Sequence, residues 1–472
     1  MTVRPGPHNL SDHGPQHETE LKRVLGMPSL VFFGLAYMVP LTVWTTYGVV
    51  TTSTEGHLPA AYIVTTLAML LTAYSYGRMV VAHPRAGSAY AYAKSAFGKA
   101  VGFIVGWVLL LDYIFLPMIC YLVIGLYMHD YFPSIPMWMW IVGSVLLTTL
   151  LNIIGIRVIA GVNFIFIAAQ FVFIAVFVVL SVRKLGESGV HSFTTPFLSS
   201  GMNVAAVFGG AAILALSFLG FDAVSTLSEE TKNPTVRIPR AILLCTVLGG
   251  ALYILESYIG HLIFPDYTLF SSVDVATVDV MKHVGGDLLN SFFTAAYVAG
   301  CFASALASQA SVSRILFAMG RDGVLPKPIF GHLHPRFRTP VVPNIIVGAL
   351  GLSALFISLE KASSMISFGA LAAFTFVNLA VIKHYVIDKG KRSPGDLLRY
   401  ALVPGLGVAF NAYLWTSLSG PTFAIGLTWL AVGVAYLLTL TRGFSRPVPD
   451  LSMDKADHEG NGDIEVAAQA AR

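Results

Sequence analysis

Long apolar runs, each closed by a short polar stretch, recur from about residue 29 to residue 440 of the 472-residue chain. Most run close to the ~20 residues that a helix needs to cross the hydrocarbon core of a bilayer. They lack the period-two alternation of a membrane-spanning barrel. The pattern predicts an all-α integral membrane protein of about twelve transmembrane helices. The predicted spans are 29–52, 60–82, 101–127, 137–155, 158–182 and 203–227 in the first half, then 241–264, 288–319, 342–359, 363–385, 400–418 and 422–440. Runs 101–127 and 288–319 are long enough to imply tilt. Polar stretches at 1–24 and 443–472 flank the membrane region 25–442 and read as disordered cytoplasmic tails, with no cleavable signal peptide ahead of the first span.

Composition agrees with a surface that faces lipid. The chain is 55% hydrophobic and 11% charged, where a soluble domain carries about 25% charge. Its net charge of +4 comes from loops and gives no reason to expect nucleic acid. Cys120, Cys245 and Cys301 lie in apolar runs without metal or redox spacing and read as packing residues. Histidines concentrate in tails and loops, and neither a His/Cys cluster nor a phosphate loop is present. The chain is therefore expected to be no enzyme and to use no metal and no cofactor. A repeated filter-like loop, which a channel would need, is also missing.

Basic residues set the orientation. With the N-terminus inside, 25 of the 29 Lys and Arg fall on the cytoplasmic side, leaving only Arg183, Lys184, Lys282 and Lys361 outside. This predicts an even number of spans in the cell (inner) membrane, with both termini cytoplasmic.

Two spans carry helix-disrupting chemistry. The first reads Gly34-Leu-Ala-Tyr37-Met-Val-Pro40-Leu-Thr42-Val-Trp44-Thr45-Thr46-Tyr47-Gly48. Pro40 removes a backbone donor and crowds the preceding turn, and nearby threonines are placed to satisfy freed carbonyls. The sixth reads Ser217-Phe218-Leu-Gly220-Phe221-Asp222-Ala-Val-Ser225-Thr226, where glycine beside an acid suits an unwound segment. Interruptions five spans apart point to an inverted-repeat transporter with its site at the repeat interface. The plainer alternative is a proline kink and a glycine packing contact.

Specific stretches then carry a resemblance. Residues Phe218 to Pro234, followed by Arg237-Ile-Pro239-Arg240, resemble the sixth-helix signature of the amino acid–polyamine–organocation superfamily. Pro84-Arg-Ala-Gly87-Ser88-Ala-Tyr90 resembles its loop after helix two. Ser311-Val-Ser-Arg314, continuing to Arg321-Asp322-Gly323-Val-Leu-Pro326, resembles the end of its helix eight. Gly34-Leu-Ala-Tyr37 with Pro40-Leu-Thr42, and Leu111-Asp112-Tyr113-Ile-Phe-Leu-Pro117, are similar to patterns of the bacterial putrescine importer family. The resemblance implies two inverted five-helix repeats, about 29–183 and 203–386, with extra helices at about 400–440. It also implies proton-driven uptake of a diamine. Its amino-acid importers carry Gly-x-Gly at the first break, where bare amides cradle the substrate carboxylate; Pro40-Leu41-Thr42 degrades that nest. They often carry a lysine in helix five, where Gln170 aligns, which leaves a carboxylate such as Asp222 to couple protons.

Buried ionisable groups in a membrane default to a functional reading. Asp112, Asp222 and Glu256 lie within spans and no Lys or Arg sits near mid-membrane to pair with them, so the missing cation is read as the cargo or a proton. Each acid has a structural alternative: Asp222 capping broken-helix amides, Asp112 satisfied by hydroxyls, and Glu256 in a vestibule or at the lipid interface, the favoured reading for Glu256. Tyr37, Trp44, Tyr113, Phe218 and Phe221 would offer cation–π contacts, or simply pack. Glu229 and Glu230, with Lys232 and Arg237, read as a cytoplasmic gate or as a solvated helix end. The predicted substrate site is thus Tyr37, Pro40, Thr42, Trp44, Asp112, Tyr113, Phe218, Gly220, Phe221 and Asp222, with a small diamine, protons and lipid as partners. An amino acid permease and a non-transporting nutrient sensor remain as alternatives. Ser304, Ser308 and Ser311 in the eighth span keep a sodium site open.

Overall fold

The computed structural model of the chain describes residues 25–448 apart from 85–87, 155–158, 190–191, 229–230, 322–323, 335–336 and 338. The expected tails, except 443–448, lie outside the described residues. Among those described, eleven helices are long and apolar enough to cross a membrane, and a twelfth apolar helix, Val341–Leu355, is shorter.

The first span has three pieces, Met27–Met38, a 3-10 turn Pro40–Thr45, and Tyr47–Ser53. Spans two to five are Leu58–Ala82, Lys99–Tyr131, Met137–Ile154 and Ile159–Ser188. The sixth is again in three pieces, Val204–Leu214, a 3-10 turn Ala215–Phe218, and a 3-10 stretch Asp222–Ser228. Span seven is Pro234–Ile263, and span eight lies within Ala276–Arg321. Span nine is Val341–Gly351 continued by Leu352–Leu355, and spans ten to twelve are Leu359–Val381, Val403–Thr416 and Gly420–Leu440. The eighth agrees with its expected range, because Gly285 and Gly286 leave helical geometry, Gly286 with φ 65, and set the more polar stretch from Ala276 off from the span proper.

Packing repeats with a step of five spans. Span two lies along span seven, and three along eight. Span one packs on seven as six does on two; three packs on ten as eight does on five; four packs on eight as nine does on three. Each pairing maps onto itself or its counterpart when five is added or subtracted. Successive spans cross a bilayer in alternating directions, and five is odd, so equivalent spans run oppositely. That is the geometry of an inverted repeat.

The outer faces carry exposed Leu146, Leu150, Val179, Val182 and Val432, which suit lipid tails. Inside, polar side chains cross-link spans. Asn378 of span ten donates to Thr72 Oγ1 (3.1 Å) and to Phe374 O (2.9 Å), and accepts from Ser75 Oγ (2.7 Å). Asn411 of span eleven donates to the same Thr72 oxygen (2.7 Å). All four side chains are buried. Replacing Asn378 with Leu strands Ser75, so Asn378→Leu is expected to lower stability by about 1–3 kcal/mol. Thermal unfolding of detergent-purified protein reads this, and an unchanged midpoint would show the network to be dispensable.

Candidate functional site

The first break is stitched by side chains from four other spans. Val39 turns the chain with φ 52 and ψ 99, a region that β-branched residues rarely enter. Pro40 opens the following 3-10 turn, where its missing N–H costs little. Thr42 Oγ1 donates back to Met38 O at 3.0 Å, as the threonine-rich sequence suggests. The Leu41 amide donates to Gln170 Oε1 of span five at 3.4 Å. Trp44 O accepts from Tyr127 OH (3.2 Å) and Thr277 Oγ1 (3.1 Å), and Thr45 pairs with the Tyr297 hydroxyl.

The second break faces the first. Gly220 has φ 124, open to glycine and strained for other residues. A Cβ built there would lie 2.7 Å from Tyr37 Cδ1 and 2.9 Å from the Met38 nitrogen, so glycine is what lets the two unwound segments meet. Tyr253 of span seven bridges them: its hydroxyl is 2.9 Å from Met38 O and 2.8 Å from Ser217 O. Tyr62 of span two reaches Ser217 Oγ at 3.2 Å. Two carbonyls freed by the two breaks thus share one donor.

Asp222 begins the 3-10 stretch and accepts from the Gly220 amide at 3.1 Å. It is partly exposed, whereas Asp112, midway along span three, is buried. The two carboxyls lie within electrostatic reach of one another. Tyr76 of span two lies near both and near Tyr92 and Tyr113. Its buried hydroxyl has no hydrogen-bond partner among the described residues. Its ring meets Phe221 edge-on at 5.7 Å and Phe374 at 6.0 Å. Gly369 of span ten would place a Cβ 3.3 Å from the Asp112 nitrogen, closing that side. Among the described residues no Lys or Arg forms an ion pair with Asp112, Asp222 or Glu256; the described pairs, Arg183–Glu187 and Lys383–Asp388, lie apart from them.

The expected residues therefore fall into groups. Asp112, Tyr113, Phe221 and Asp222 gather around Tyr76, with Gly220 and Tyr37 at the junction of the breaks and Pro40 and Thr42 in the first break itself. Phe218 packs edge-on against Tyr253 at 5.4 Å. Trp44 is buried among Tyr47, Phe177 and Phe293, and lies beside Glu256. Glu256 corrects an expectation: far from a wet vestibule or the lipid interface, it is 0% exposed, because the one-residue-per-face reading of a helix cannot show that the first break folds over it. Tyr76, Tyr62 and Tyr253 escaped the sequence reading, being three among 19 tyrosines with no motif to mark them.

Glu229 and Glu230 lie outside the described residues. Next to them, the Lys232 amide (3.3 Å) and Arg237 Nη1 (3.4 Å) both donate to Leu25 O, tying the end of the sixth span to the start of the first. Ser308 Oγ returns to Ser304 O at 2.7 Å. A crevice of about 1020 Å³ between spans three, four and eight is lined by residues such as Ile124, Tyr131, Trp140 and Phe302 and contains no acid, so it offers nothing to hold a cation.

Residues 29–387 match the amino acid permease family. The chain is 40% identical over 94% of its length to the low-affinity putrescine importer PlaP of Escherichia coli (strain K12), covering 98% of that protein. It is 26% identical to the branched-chain amino acid permease BcaP of Bacillus subtilis (91% of this chain, 95% of the relative). It is 29% identical to cationic amino acid transporter 4 of Mus musculus (80% of this chain, 61% of the relative).

The contact between breaks makes one residue decisive. Gly220→Ala forces a side chain into the Tyr37–Met38 backbone at a φ that costs about 1–3 kcal/mol. Uptake is expected to fall at least tenfold while the protein still elutes as a single species. Wild-type uptake by this variant would show that the breaks need not touch.

Proposed function

We propose that this chain, which belongs to the amino acid permease family of membrane transporters, imports a small diamine of the putrescine type by alternating access around its two broken spans. The observation that carries this reading is the pair Asp112 and Asp222, within electrostatic reach of one another and of Tyr76, with no Lys or Arg in an ion pair with them among the described residues. Carboxylates in a low-dielectric site repel each other until a proton or another cation joins them. A diamine supplies two ammonium groups joined by a short apolar stem, and the rings of Tyr76, Tyr113 and Phe221 suit both parts.

The first break supports an amine without a carboxylate. An amino acid needs bare amides there. Pro40 has none, and the Leu41 amide is already engaged by Gln170. A cationic amino acid permease is the second reading, favoured by the likeness to the mouse transporter, but Pro40 and the engaged Leu41 amide offer the substrate carboxylate no free backbone donor at the start of that break. Uptake is driven by an inward proton gradient, and Asp222, the carboxylate expected to couple it, receives the arriving ammonium group. The membrane potential adds about 2.3 kcal/mol per charge per 100 mV. The Lys and Arg distribution supports cytoplasmic termini in a cell inner membrane. The Leu25 tether, together with Glu229 and Glu230, belongs to the cytoplasmic gate.

Asp222→Asn is expected to abolish diamine uptake without loss of folded protein. Asp112→Asn is expected to weaken diamine binding about 10- to 100-fold, from about 1.5–3 kcal/mol for a charge-assisted hydrogen bond, and to weaken monoamine binding less. Radiolabelled uptake and equilibrium binding measure both. Wild-type uptake by Asp222→Asn removes that residue from the site, and equal losses for monoamine and diamine at Asp112 refute the two-headed mode.

A further inference from the structure

A carboxylate that trades its proton for the arriving ammonium group produces competition between proton and substrate. Symport requires both on the protein at once, so it needs a proton site that the amine does not displace. Glu256 meets that requirement. It is fully buried on span seven, and neither carboxyl oxygen has a hydrogen-bond partner among the described residues. The Trp44 indole N–H lies beside it but completes no hydrogen bond. Tyr62 and Tyr253 are its other polar neighbours.

The surroundings favour a proton over a larger cation. One turn along span seven, Gly260 would place a Cβ 2.9 Å from Tyr47 Oη and 3.2 Å from Trp44 Cη2. One turn or more the other way, Gly249 and Gly250 are filled by Met38 Cε (2.4 Å) and Thr66 Cγ2 (2.5 Å). Span seven is close-packed along this face, and a proton needs no volume. A bare carboxylate enclosed there without donors costs several kcal/mol, whereas a protonated one is neutral. Both tyrosines beside it bond the breaks: Tyr253 to Met38 O and Ser217 O, Tyr62 to Ser217 Oγ. The charge of Glu256 thus acts on the groups that hold the two unwound segments together.

We propose that Glu256 carries the co-transported proton in this close-packed interior behind the first break, and that Tyr62 and Tyr253 couple its charge to the junction of the breaks. The inference rests on the proton-symport reading above. One proton is gained as the carboxylate becomes a carboxylic acid on the outer side, and the same proton is lost to the inner side. The titratable groups packed nearby are few. Tyr62 comes from span two, Tyr253 from span seven and Tyr47 from the first span. His261 lies farther along span seven within reach of His57, and Tyr37 and Asp222 lie beyond the junction. Spans five and eight, which also touch span seven, carry Arg183, Lys184, Glu187, Asp279 and Lys282 toward their ends.

The test uses the full chain in proteoliposomes, with the potential clamped by potassium and valinomycin and radiolabelled putrescine as probe. Wild type is expected to accumulate putrescine when an inward proton gradient is imposed. Glu256→Gln, the neutral isostere, is expected to lose that accumulation while still exchanging internal for external putrescine, with exchange no longer varying with pH. Glu256→Asp is expected to keep coupling with a displaced pH profile, and serves if the glutamine variant does not fold. Proton-driven accumulation by Glu256→Gln overturns the inference, as does an unmoved pH profile in Glu256→Asp. A wild type that accumulates nothing on the proton gradient overturns the symport reading itself, whatever the variants do.

Discussion

A backbone carbonyl released inside a bilayer has no water to turn to, and the whole arrangement follows from how this chain satisfies those it releases. Breaking the first span at Val39 and the sixth at Gly220 would be prohibitive for isolated helices, because each unpaired group costs several kcal/mol in hydrocarbon. Tyr253 meets the cost by donating to Met38 O and Ser217 O. Thr42 adds a second donor to Met38 O, and Gln170, Tyr127 and Thr277 take other freed groups at the first break. The breaks exist because spans two, three, five, seven and eight supply partners, and those spans are fixed because the breaks need them.

The same junction concentrates negative charge. Asp222 sits where the second break leaves amides for it to accept, and Asp112 meets it from span three. Glu256 lies behind the first break against Trp44. Three acids and no resident cation among the described residues make an interior that is stable only when cations or protons enter it. Transport of a cation accords with the fold's own electrostatics, and Tyr253 and Tyr62 join the two breaks beside those acids.

Much of this was legible in the sequence for physical reasons. Span number and position follow from runs of bilayer length, and the interruptions from proline at 40 and glycine beside an acid at 220 and 222. Membrane acids stand out by their rarity, which singles out Asp112 and Asp222, and the fold brings the two within electrostatic reach of one another. What stayed hidden depends on tertiary neighbours. Tyr76 and Tyr253 look like any other membrane tyrosine until the helices are packed. Glu256 was read toward solvent because its position along span seven says how deep it lies but not what covers it. The neighbours of Trp44 from other spans, namely Phe177, Phe293 and Glu256, could not be read from its place in the first break. Helix eight was placed well at both ends, since the glycine pair at 285 and 286 separates it from the more polar helix that precedes it.

The central claim is that the site recognises ammonium groups and has no place for a carboxylate. Putrescine and ornithine share the same two amines and differ in one carboxylate, so comparing their uptake by the purified protein in proteoliposomes isolates that feature. Saturable putrescine uptake with no ornithine uptake, and no competition by ornithine at concentrations that saturate the diamine, is the predicted result. Ornithine or a neutral amino acid carried at a rate comparable to putrescine would contradict it.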